Sequence, residues 1–274
     1  MAGQGHSGHL SQTRAVESLL AFWSQAGVDV SLGDSPVNRL LQPDRPKPVA
    51  TATPIAGPVK VKAPASDISA AVAEAQGLAA AADSLDALAA AIAAFDGCGL
   101  KFEGARQAVF ARGNPAADVL VIGEGPGGDE DVYGQPFVGR AGKLLDKMLA
   151  AAGLSERTFI TNTVYWRPPG NRTPTPAEQA ICRPFVEKTI ALVKPRFLLL
   201  AGGASAKSIL GREEGILSLR GRWFEWADAD ETVVLPALPT LHPAFLLRQP
   251  AAKKKAWSDL LTLAERLDRP DRAP

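Results

Sequence analysis

The spacing of apolar positions changes along this chain of 274 residues, and the changes divide it. Between residues 11 and 28, Val16, Leu19, Leu20, Phe22 and Trp23 recur at helical spacing and Gly27 supplies a stop. Residues 42–66 hold six prolines and few large apolar side chains. Such a stretch buries too little surface to offset the ordering of its backbone and reads as a linker. Residues 67–95 are rich in alanine, with Leu78, Leu85, Leu88 and Ile92 interspersed. They predict helix, broken or bent near Gly77. The expected organisation is a helical segment over 1–41, a Pro/Ala-rich linker over 42–66, an alanine-rich helix over 67–95 and one α/β domain over 96–268.

Within the last segment, short apolar runs alternate with helical periods. Asp118-Val-Leu-Val-Ile122, Thr158 to Val164, Phe197-Leu-Leu-Leu-Ala201 and Val233 to Leu238 predict four strands. Between them lie helical stretches at Ala141 to Ala152, from Thr175 to about Val193 and at Ser205 to Leu210. Thr175-Pro-Ala-Glu178 is a capping box with proline at the first helical position. Lys254 to Leu267, carrying Trp257, Leu260, Leu261, Ala264 and Leu267, closes the chain as an amphipathic helix. Alternating strands and helices imply parallel pairing with right-handed crossovers, and sites in such sheets form at the carboxyl ends of the strands. Gly123 and Asn162 fall at such ends, and His242 follows the fourth strand.

Composition adds bounds more than identity. A hydrophobic fraction of 46% and a charged fraction of 22% are ordinary for a globular protein, and a net charge of +1 announces no polyanion partner. A local basic face is compatible with that balance. Two cysteines argue against a disulfide framework and for a reducing, cytoplasmic setting. No apolar run is long enough to span a bilayer, and Met1 to His9 lacks the pattern of a secretory leader.

Candidate chemistry concentrates in two segments. The first is Gly123-Glu-Gly-Pro-Gly-Gly-Asp-Glu-Asp131, continuing through Pro136-Phe-Val-Gly139 to Gly142. It has the glycines of a dinucleotide fingerprint but the wrong spacing, and its acidic run would repel a pyrophosphate. The second is Leu241-His-Pro243 followed by Leu246-Leu-Arg248. Between them stand Thr161-Asn162 and Arg167-Pro-Pro-Gly-Asn-Arg172. Taken singly, Phe137 reads as core, Asn162 as a turn former, His242 as structural and 167–172 as a surface loop. Taken together, the segments resemble the uracil-DNA glycosylase superfamily, most closely its family 4, over about residues 96–265.

That resemblance implies a three-layer α/β/α fold around a central, mostly parallel four-stranded sheet; the helical N-terminal extension read from the spacing falls outside it. It implies a monofunctional enzyme that flips uracil out of single- or double-stranded DNA and hydrolyses its N-glycosidic bond. The protein would act as a monomer in base excision repair. Gly125 would let the base approach the backbone, and Phe137 would stack on it. Asn162 would read uracil, because an amide offers both a donor and an acceptor for O4 and N3–H. His242 would stabilise the uracil anion by donating to O2. Glu130 is favoured for orienting water and Glu124 for lining the pocket, without a firm ranking; Asp131 is the third carboxylate. Leu246 and Leu247 would wedge into DNA, while Arg172 and Arg248 would meet phosphates. A non-catalytic binder of uracil or abasic sites and a glycosylase for other deaminated bases are the alternatives.

One departure stands out. Family 4 holds an iron–sulfur cluster on four cysteines, and here two of those positions are Phe95 and Trp166. Cys98 and Cys182 remain, too few for a four-thiolate shell. The expectation is no cofactor, with the two aromatic side chains filling the vacated volume and the two thiols buried side by side.

Overall fold

The computed structural model describes residues 68–228 and 231–269. The expected N-terminal helix and the linker lie outside the described residues. The description opens with α1 (Ile68–Ala81) and α2 (Leu85–Ala94). The break between them falls at residues 82–84, not near Gly77 as expected. Gly77 sits inside α1 with open space around it, and alanine neighbours tolerate one glycine. Ser84 restarts the helix by accepting a hydrogen bond from the Ala87 N–H, with Asp86 in the first turn.

The remaining elements are β1 (Ala111–Gly113), β2 (Val119–Gly123), α3 (Gly128–Tyr133), α4 (Arg140–Ala151), β3 (Thr158–Asn162) and α5 (Pro176–Val193). After them come β4 (Phe197–Ala201), α6 (Gly203–Leu210), α7 (Ile216–Leu219), β5 (Phe224–Ala227), β6 (Val234–Thr240), α8 (Pro243–Arg248) and α9 (Lys253–Asp268). The sheet has six strands in the order β1-β3-β2-β4-β6-β5, which corrects the expected four. The four strands predicted from apolar runs are the central parallel ones. The two missed strands, β1 and β5, are short, antiparallel and at the edges. Their residues are only partly buried, so no continuous apolar run marks them.

Both faces of the sheet are covered. Along β2, Leu120 and Ile122 face a core shared with α1, α2, α5 and α6, while Val119 and Val121 face a second core shared with α4 and α9. The alanine-rich helices therefore belong to the same packing unit as the sheet: α1 lies along α5, and Ala71, Ala75 and Ala79 are buried there. Small side chains permit this close approach. Thr175 caps α5 as the sequence predicts, accepting from the Glu178 N–H while Glu178 accepts from the Thr175 N–H.

The start of α4 shows how tightly the region near the strand ends is built. A side chain at Gly142 would run into the backbone carbonyl of Phe137. Gly142→Ala is expected to destabilise the fold by about 1–3 kcal/mol, because the obstacle is backbone and has nowhere to move. A thermal melt showing an unchanged midpoint for this variant would contradict the packing described.

Candidate active site

The four parallel strands end together, and the turns beyond their ends build one cavity. β2 runs into the glycine turn, and β3 ends at Asn162. β4 ends before Gly202, and β6 ends before His242. The cavity has a volume of about 510 Å³ and is lined by Glu124, Gly125, Glu130, Phe137, Arg172, His242 and Arg248, among others. Seven residues singled out in the sequence thus meet at one place.

Glu130 organises the floor. One carboxylate oxygen accepts the Gly127 N–H at 3.1 Å, and the other accepts the N–H groups of Val138 and Gly139 at 3.0 and 2.9 Å. The carboxylate ties the glycine turn to the loop bearing Phe137, which takes the left-handed conformation at φ 55°. Asp131 has a similar duty: it is buried and accepts the Arg106 N–H at 2.8 Å. Glu124 differs, lining the cavity with no side-chain partner among the described residues.

His242 starts α8 as its cap, with Pro243 at the first helical position. Its Nδ1 accepts the Ala244 N–H at 3.1 Å. An accepting Nδ1 carries no proton, so the neutral ring carries its hydrogen on Nε2. Burial, assisted by the positive charge of Arg248 and opposed by Glu130, pushes the pKa down to about 4. The ring lies 5.6 Å from that of Phe137, tilted by 33°. Gly202, at φ 105°, faces this histidine, and a side chain there would press on His242 Cβ at 3.0 Å.

Asn162 is buried and is not among the residues lining the open cavity. Its side-chain oxygen has no hydrogen-bond partner, an unusual state for a buried acceptor. It lies beside the Phe137 ring over Gly123, where any side chain on that glycine would collide with both. Leu246 is fully buried against Leu241 and Ala256, so it has no surface to offer DNA and the expectation of a two-leucine wedge is corrected. Leu247 is 37% exposed. Arg172 is engaged by Glu178 through two hydrogen bonds of 2.8 and 2.7 Å. The loop over 167–172 brings Pro168 and Asn171 to the cavity, and sequence reasoning missed that Thr173 and Pro174 line it too. The rigid Pro-Pro-Gly segment was the available signal.

The positions that resemble cluster ligands do not fit a four-thiolate site. Cys98 and Cys182 are fully buried, and their thiols share a hydrogen bond. That bond and burial push Cys182 well above the usual thiol range, while the same bond lowers Cys98. Phe95 and Trp166 occupy the other two positions with ring centroids 6.4 Å apart, and Phe185 stands edge-on to Phe95 at 5.3 Å. Among the described residues, no group of three or more His, Cys, Asp or Glu side chains is placed to share a metal ion.

A family model described as the uracil DNA glycosylase superfamily matches residues 110–261. The chain is 41% identical over 143 residues to a type-4 uracil-DNA glycosylase of Thermotoga maritima, covering 51% of this chain and 71% of that one. It is 35% identical over 164 residues to the type-4 uracil-DNA glycosylase of Sulfurisphaera tokodaii, covering 58% and 74%. To that of Saccharolobus solfataricus it is 36% identical over 168 residues, covering 59% and 77%. No described helix is long and apolar enough to cross a membrane.

The histidine geometry has a pH consequence. Its folded-state pKa, about 4, lies below the ordinary value of 6.5, so on acidification the unfolded chain takes up this proton first. The resulting contribution to stability is complete above about pH 6.5 and is lost as pH falls towards about 4. In a proton NMR titration from about pH 8 to 5, His242 should hold its neutral shift throughout, whereas an ordinary histidine titrates near 6.5. An imidazole at His242 that titrates near 6.5 would contradict the buried, neutral assignment.

Proposed function

The chain belongs to the uracil DNA glycosylase superfamily, and on that premise we propose that it flips uracil out of DNA and hydrolyses its N-glycosidic bond, leaving an abasic site. The observation that carries the reading is the meeting of the His242 ring, the Phe137 ring and the Glu124 carboxylate on one cavity at the strand ends.

Breaking this bond leaves positive charge on the sugar and negative charge on the base. His242 acts as a neutral donor through Nε2–H, stabilising charge that grows on uracil O2 without transferring a proton. A cationic imidazolium is not required, which suits its depressed pKa. Phe137 supplies the face on which the extruded base stacks. The unpartnered oxygen of Asn162 accepts N3–H of uracil; cytosine has no proton there and would leave it orphaned, at a cost of about 1–3 kcal/mol.

Water orientation falls to Glu124. Glu130 was the favoured candidate from sequence, but both its oxygens are occupied by backbone N–H groups, so its part is to hold the turn and to add negative charge beneath the sugar. Leu247 takes the wedge role alone, and Arg248 and Arg172 face the phosphates at the cavity mouth. The described lining residues include no lysine amine to form a Schiff base, which favours simple hydrolysis. The donor set of Cys98, Cys182, Phe95 and Trp166 favours a protein without an iron–sulfur cluster, its neighbouring segments pinned by aromatic packing.

Excision can be followed on an oligonucleotide with a single uracil, with chelator present and alkali cleavage of the abasic product. His242→Ala, Asn162→Ala and Glu124→Gln should each slow excision by about 100-fold or more while melting normally. Glu130→Gln should lower both the melting temperature and the rate. Normal rates for the His242 and Asn162 variants would remove the site from consideration. Retained binding to abasic DNA with no excision by the unmodified protein would turn the assignment to a non-catalytic binder. The purified protein should be colourless, and a brown protein absorbing near about 400 nm would contradict the clusterless reading.

A further inference from the structure

A second cavity, about 450 Å³ in volume, adjoins the first. Thr173 and Pro174 line both, so the two are separated only by this short stretch of loop. The second cavity is a groove between the first half of α5 and α6, helices that lie on the same face of the sheet. Its polar groups are Gln179 and Arg183 on α5, Lys207 and Ser208 on α6, and Glu213 beyond α6. None of these has a part in base recognition or bond cleavage as derived above.

We infer that this groove is a subsite for the DNA strand on one side of the excised base, holding the backbone of a flanking nucleotide by Arg183 and Lys207. The inference rests on the DNA reading above. A strand whose base enters the first cavity must leave its mouth in both directions, and the groove is the concave continuation of that mouth past Thr173. Gln179 and Arg183 are four residues apart on a helix and so share a face, opposite Lys207 and Ser208 across the groove. Cations and neutral hydrogen-bonding groups on facing walls suit phosphate and sugar oxygens and carry no base information.

The charges are engaged but not locked. Arg183 pairs with Glu187 at 2.7 Å, and Lys207 meets Glu213 at 3.4 Å, with the Glu213 side chain 97% exposed. Exposed pairs of this kind contribute little, so a phosphate can take over either cation. Glu213 is the groove's carboxylate, and its negative charge opposes a polyanion. Its neutralisation should therefore improve binding, which a merely structural pair would not predict.

The test compares three uracil-containing strands: a trinucleotide, one extended only on the 5′ side and one extended only on the 3′ side. The double variant Arg183→Gln with Lys207→Gln should raise KM about three- to tenfold for one extended strand and much less for the other two, because the groove lies on one side of the pocket. The salt dependence of log KM on that strand should fall by about 1.4, at about 0.7 per cation lost on a single strand. Glu213→Gln should lower KM on the same strand. Lys147→Gln, an exposed lysine on α4 across the sheet, controls for the loss of a distant positive charge and should move none of these. Unchanged KM and salt slope on both extended strands, or equal increases on all three, would overturn the subsite. If the unmodified protein excises uracil from none of them, the glycosylase reading fails instead. Anisotropy measurements with the same extended strands then decide the groove separately, by whether the double variant weakens binding on one side only.

Discussion

The carboxylate of Glu130 is the constraint on which the site depends. Three backbone N–H groups converge on it, one from the glycine turn after β2 and two from the loop that carries Phe137. Charge-assisted bonds of this type are stronger than neutral ones and leave no slack. They hold Phe137 in a left-handed conformation that a large side chain would otherwise avoid, against α4, whose Gly142 makes room for the Phe137 carbonyl. The Phe137 ring, the floor of the cavity and the start of a core helix are thus one rigid unit. A side chain at 127 or 139 would have to displace the carboxylate of Glu130 or Asp129.

The histidine works within that frame. It is fixed from three directions: by the Ala244 N–H on Nδ1, by the Phe137 ring and by the close backbone of Gly202. Burial keeps it neutral, which selects a donor of hydrogen bonds over a donor of protons. On the proposed reading, a neutral dipole already in place gains strength only as negative charge grows on the base. Asn162 is also buried, and its side-chain oxygen has no hydrogen-bond partner, a local penalty that a matching base would remove on the proposed reading.

Much of this was legible in the sequence. The four parallel strands announced themselves because strands covered on both faces are continuously apolar. The capping box at Thr175 set the start of α5 to the residue. The edge strands β1 and β5 escaped because partly covered edges carry no such run. At the site, the glycine turn and the histidine turn were legible as motifs, and they do share a cavity. The division of labour between Glu124 and Glu130 was not, because it depends on which carboxylate the backbone surrounds, and spacing alone does not report that. Leu246 and Leu247 are adjacent in sequence, but helical geometry sends one into the core and leaves the other outside. The packing of Phe95 against Trp166 and Phe185 follows from size and apolarity.

On the proposed reading these side chains, with no metal, excise uracil by adding water across its glycosidic bond. Mass spectrometry of a strand with one uracil, incubated with the purified protein in chelator, tests it directly. The expected result is free uracil together with an intact strand that has exchanged its base for a hydroxyl, while an otherwise identical thymine strand is unchanged. A strand of unaltered mass, or a strand retained as a covalent adduct of the protein, would contradict it.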